Sequence, residues 1–99
     1  MTMKRIAVIA RITAKEGKSE ELMILLKELV RETRQEAGCL QYELLQSIDN
    51  CECFTMSEEW ADESTLELHT KSLHFKAFEA SAAELLAQLS VEKMKKVIV

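Results

Sequence analysis

CLQYELLQSIDNCECFTMSEEW, residues 39–60, holds two alternating stretches around a polar break. Leu40, Tyr42 and Leu44 alternate with Gln41 and Glu43 over residues 39–47, and Phe54, Met56 and Trp60 share one phase over residues 52–60. A period of two sends successive side chains to opposite faces of a strand, and Asp49 and Asn50 supply turn-forming side chains between the runs. The stretch predicts a β-hairpin with one apolar face. Glu58 falls on that face, a carboxylate aimed into otherwise apolar space, which is costly unless it is paired.

Outward toward the N-terminus, Gly38 offers the left-handed position that ends many helices. Before it, Leu22, Leu25, Leu26, Leu29, Val30 and Thr33 recur at helical spacing behind Ser19, Glu20 and Glu21, which predicts a helix over residues 19–37. Residues 4–13 alternate Ile6, Val8, Ala10 and Ile12 on one face, which predicts a strand. Its opposite face mixes Ala7 and Ile9 with Arg5 and Arg11. Toward the C-terminus, Asp62 is placed to cap a short helix bearing Leu66 and His69. Ser72 is placed to cap another, on which Phe75, Phe78, Ala82, Leu85, Leu86 and Leu89 form one stripe, and residues 91–99 predict a closing strand.

Strand, helix, strand, strand, helices, strand is the split βαβ order of an α+β ferredoxin-like fold with a four-stranded antiparallel sheet. Ninety-nine residues fit one such domain, spanning 1–99, around a single core. Helices cover only one face of the sheet, so the face carrying Ala7 and Ile9 is expected to meet another copy of the chain.

Composition narrows the function classes. The chain is 47% hydrophobic and 30% charged, which suits an ordered globule. Net charge −4 leaves no basic field for a phosphate backbone, so nucleic acid is not an expected partner. The run Ile6 to Ala10, closed by Arg11, is too short for a membrane span or a signal core, and a cytoplasmic location is expected. There Cys39, Cys51 and Cys53, an odd set, are expected to stay thiols.

No Gly-rich phosphate loop, HExxH, paired CxxC or GxSxG occurs. Cys51 and Cys53 alone make an incomplete zinc site, so no metal and no cofactor are expected. The residues able to carry chemistry are Tyr42, Glu58, Trp60 and His69, which the predicted elements bring to one side of the sheet. An imidazole with an ordinary pKa near about 6.5 suits removal of a proton from a phenol or enol, and a neighbouring carboxylate orients it. One reading of these residues has Glu58 orient His69 as base, with Tyr42 and Trp60 beside them to hold substrate. Met56, His74, Phe75 and Phe78 complete the candidate lining. The plainer alternative pairs Glu58 with a lysine, sets His69 at a helix terminus and leaves the aromatics as core.

Several stretches resemble the antibiotic biosynthesis monooxygenase domain, including its quinol monooxygenase branch. They are Ala14-Lys15-Glu16-Gly17-Lys18, Glu36-Ala37-Gly38-Cys39-Leu40-Gln41-Tyr42, Glu58-Glu59-Trp60, Leu66-Glu67-Leu68-His69 and Ser72-Leu73-His74-Phe75-Lys76-Ala77-Phe78. The resemblance implies a homodimeric α+β barrel with a pocket between the sheet and helices of each subunit. It also implies oxidation of a quinol, polycyclic phenol or anthrone by dioxygen without cofactor, the deprotonated aromatic itself giving an electron to oxygen. Tyr42, Glu58, Trp60 and His69 match positions of the family pattern. Haem-degrading relatives carry an asparagine where this chain has Ala10, and a haem-binding histidine near its Phe78, so haem oxygenation is not expected. Two other readings are proton-transfer isomerisation of a small carbonyl compound, and a non-catalytic dimeric ligand-binding domain.

Overall fold

The computed structural model describes residues 5–99; Lys4, the expected first strand residue, lies outside them. The elements are β1 (Ile6–Ala14), α1 (Ser19–Thr33), β2 (Cys39–Gln46), β3 (Cys53–Trp60), α2 (Glu63–Thr70), α3 (Leu73–Ala82) and β4 (Leu86–Met94). The sheet order is β2-β3-β1-β4 with every neighbour antiparallel. This is the ferredoxin-like arrangement, with all helices on one face and a thickness of only 18 Å. Among the described residues no helix is long and apolar enough to cross a membrane.

Alternation in β1 and β3 places Val8, Ala10, Ile12 and Ala14 beside Phe54, Met56, Glu58 and Trp60 on the helix-covered face. Leu22, Leu26, Leu29 and Val30 of α1 bury against them. Each such apolar side chain contributes about 1.5–3 kcal/mol when fully removed from water, so this seam holds the two layers together.

Three element boundaries depart from the sequence expectations. Helix α1 ends at Thr33 rather than at residue 37, because Gln35 and Glu36 bond to carbonyls three residues back and tighten the chain into turns. Those turns swing Glu36 toward α2. In β2 the register skips between Cys39 and Gln41, so Leu40 leaves the alternation and is exposed, while Tyr42 falls opposite Glu58. The helix carrying Phe75 and Phe78 stops at Ala82 instead of running through Leu89, and the last strand starts at Leu86 rather than at residue 91. A bulge between the Ala14–Leu86 and Thr13–Gln88 pairs adds one residue to β4. Leu86, Leu89 and Val91 consequently share a face at spacings that resemble a helical stripe.

Gly38, at φ 88°, permits the turn into β2 and a close approach. A Cβ there would lie 2.4 Å from Thr65 Cγ2, at the start of α2. Only a residue without a side chain lets the α1–β2 turn and the α2 N-terminus share that space.

Candidate active site

A cavity of about 280 Å³ lies between the sheet and the helices. Its walls are apolar side chains of β1, α1, α3 and β4, and its polar groups include Tyr42, Glu58 and His69. It opens along β4, where Leu89 and Val91 stay 52% and 63% exposed although they face the helix layer.

His69 reaches this cavity because a capping box starts α2. Asp62 accepts from the Thr65 amide, and the Thr65 hydroxyl meets the Asp62 amide. Leu66 and His69, one turn apart, then face the sheet together. The imidazole is 2% exposed and packs among rings of Trp60, Phe75 and Tyr42 at centroid distances of 4.7, 4.8 and 5.4 Å. Ser72 joins α2 to α3: its hydroxyl donates to the His69 carbonyl at 2.7 Å and accepts from the Phe75 amide at 3.2 Å.

The carboxylate that meets His69 is Glu36, not Glu58. His69 Nδ1 lies 2.8 Å from Glu36 Oε2. An ionised carboxylate only accepts, so the proton sits on Nδ1 and the Nε2 lone pair points to the Tyr42 hydroxyl, at a long 3.5 Å. Burial lowers the His69 pKa below its ordinary 6.5, the neighbouring Glu36 opposes that shift, and His74 adds to it. Glu58 instead accepts from Trp60 Nε1 at 2.9 Å through Oε1. Alternation puts Glu58 and Trp60 two residues apart on one face of β3, which favours that bond over any reach to α2. Burial pushes the Glu58 carboxyl up to about 7, against the pull of the Trp60 bond. Tyr42 is raised well above its ordinary value by burial and then by the Glu58 charge.

The other expected site residues divide. Met56, Phe75 and Phe78 line the cavity with Tyr42, Glu58 and His69. Trp60 is fully buried and is not among the side chains that line the cavity; its indole N–H donates to Glu58. His74 also misses the cavity: its Nε2 lies 2.5 Å from Glu36 Oε2, and its ring walls a separate depression between α1 and α3. Cys39 is a free thiol whose pKa is raised by burial and by the charges of Glu36 and Glu58, which opposes nucleophilic use. Sequence reasoning gave Glu36 no role. The signal was present, because residues 22, 26, 29, 33 and 36 continue one inward stripe beyond the last leucine.

The description "Antibiotic biosynthesis monooxygenase" belongs to the family model that matches residues 5–81. The curated Bacillus subtilis (strain 168) protein named "Putative monooxygenase YcnE" is 35% identical over 82 residues, covering 83% of this chain and 86% of the relative. Among solved structures, PA3566 from Pseudomonas aeruginosa superposes with TM-score 0.93 at 35% identity, covering 99% of this chain and 100% of that one. Protein SO0527 from Shewanella oneidensis gives TM-score 0.92 at 32% identity, covering 99% and 96%. Matched over most of its length by model, sequence and structure alike, the chain belongs to the antibiotic biosynthesis monooxygenase family.

Proposed function

We propose that the protein is a monooxygenase for a small quinol or related phenol, with His69 as general base held by Glu36. The observation carrying this reading is a buried imidazole on the wall of an apolar cavity, with Nδ1 tied to a carboxylate and Nε2 facing the hydroxyl of Tyr42, which lines the same cavity. Nε2 accepts the phenolic proton, breaking O–H and forming N–H, and Glu36 stabilises the imidazolium through Nδ1–H. The resulting phenolate gives an electron to dioxygen. One oxygen atom enters the ring and the other leaves as water, the quinol supplying both reducing electrons. Glu58, protonated or ionised near neutrality, faces the same cavity and can donate to an oxygen of the substrate in its acid form. About 280 Å³ is at the lower edge of the usual ligand-pocket range, which favours one or two fused rings over three.

Pairing of two copies through the open sheet face belongs to the same reading, supported by Ala7, Ile9, Leu45 and Met94 on that face. Isomerisation by the same base would consume no oxygen, so an oxygen electrode separates the two activities. With menadiol and chelator-treated protein, oxygen uptake is expected to exceed autoxidation, and His69→Ala is expected to lower the enzymatic rate by about 10²–10⁴-fold. An unchanged rate in His69→Ala would remove the base.

A further inference from the structure

Glu36 Oε2 is a meeting point for two imidazoles, His69 Nδ1 at 2.8 Å and His74 Nε2 at 2.5 Å. These three donor atoms lie within 4.8 Å of one another and come from three parts of the fold: the turn after α1, α2 and the first turn of α3. Base chemistry at Nε2 of His69 leaves His74 without a part. Two imidazoles and one carboxylate form a donor set of intermediate softness, suited to Zn²⁺ and neighbouring transition metals more than to Mg²⁺ or Ca²⁺. Ligands side by side on an ion with bonds of about 2.1 Å stand roughly 3.0–3.4 Å apart, so the two carboxylate contacts need to open by about half an ångström while the two imidazole nitrogens, within 4.8 Å of each other, settle to the same spacing. Two of the ligands are well placed for entry, since Glu36 and His74 remain partly exposed while His69 is buried. Glu28 and Glu32 flank the depression that His74 walls, giving an arriving cation an anionic approach.

We propose that Glu36, His69 and His74 bind a divalent transition-metal ion of the Zn²⁺ class and, resting on the assignment of His69 as base, that occupancy switches the base off. A neutral imidazole carries one proton on one of two nitrogens. A metal bond to Nδ1 breaks Nδ1–H, and the proton appears on Nε2. The Nε2 lone pair, which faces the Tyr42 hydroxyl on the cavity wall, is then lost, with no net gain or loss of protons by the ring. Glu36 thus serves two exclusive states, acceptor for His69 when metal is absent and ligand when it is present.

The test begins with chelator-stripped protein titrated with Co²⁺ as a coloured stand-in for Zn²⁺. Visible d–d absorption is expected to saturate at one ion per chain and to be displaced by Zn²⁺. His74→Ala, at a partly exposed position, is expected to weaken binding at least about tenfold, the loss common even for an outer-shell partner, with the circular dichroism spectrum unchanged. Glu36→Gln is expected to do the same. Absence of the absorption, or its saturation at the same Co²⁺ concentration in His74→Ala as in the parent, overturns the site. NMR of the ring nitrogens under Zn²⁺ is expected to move the His69 proton from Nδ1 to Nε2, and retention of Nδ1–H with Zn²⁺ bound overturns the switch. Neither readout uses substrate. Metal binding by a protein whose stripped form takes up no oxygen therefore refutes the monooxygenase reading and leaves the metal site standing, and oxygen uptake by the stripped form without metal binding refutes this inference alone.

Discussion

Glu58 is where burial and charge conflict most directly. Its carboxyl is 7% exposed and sits near pH 7 when folded, against an ordinary 4.5. Between those values the folded chain holds a proton that the unfolded chain has released, so folding is favoured by acid here. The contribution is fully present below about pH 4.5, declines as pH rises to about 7 and stays lost above, a total on the order of 3 kcal/mol. Glu58→Gln keeps an oxygen for Trp60 and removes that charge. It is expected to raise thermal stability over the parent at pH 8 and to match it at pH 4.5, as read by calorimetry; a gain equal at both pH values would show that Glu58 is not the titrating group. Glu58 on the inward face was legible from β3 alternation, and so was the approach of His69. The carboxylate that meets His69 was legible only in part: Glu36 continues the inward stripe of residues 22, 26, 29 and 33, but the helical period gave no sign of the tightened turns that carry it under α2.

At the scale of elements, α1 and the hairpin were legible from their apolar periods, Gly38 and the Asp49–Asn50 turn, although α1 stops at Thr33 and Leu40 leaves the β2 alternation. β4 was not. Its bulge adds one residue, so the side chains that pair beside Ile12 and Ala10 mimic a helical stripe, and only the partner strand decides between the two. The two glycines make a controlled comparison. Both have positive φ, but a Cβ on Gly17 meets open space while one on Gly38 strikes Thr65. Gly17→Ala is expected to cost about 1 kcal/mol, and Gly38→Ala about 2–4 kcal/mol because backbone strain and overpacking add. Urea unfolding of both variants measures this, and equal losses would show that the α1–β2 turn does not support α2. Since α2 carries His69, Gly38→Ala is also expected to slow turnover.

The whole molecule is a sheet covered on one side, with Ile9, Leu45 and Met94 on the other. Sedimentation is expected to give twice the 11.3 kDa chain mass, and Ile9→Arg, outside the core, to give the single mass with the fold intact. A parent protein that sediments as a single chain would contradict pairing. The cavity, the Glu36–His69 pair and the opening along β4 are all formed by groups of the one chain described. The most direct measurement of that chemistry is mass spectrometry of the menadiol product formed under isotopically heavy dioxygen. One heavy oxygen atom per product molecule is expected, at a rate that His69→Ala and Glu36→Gln both reduce toward autoxidation. Product without label, or labelled equally fast by His69→Ala, would contradict oxygenation driven by the Glu36–His69 base.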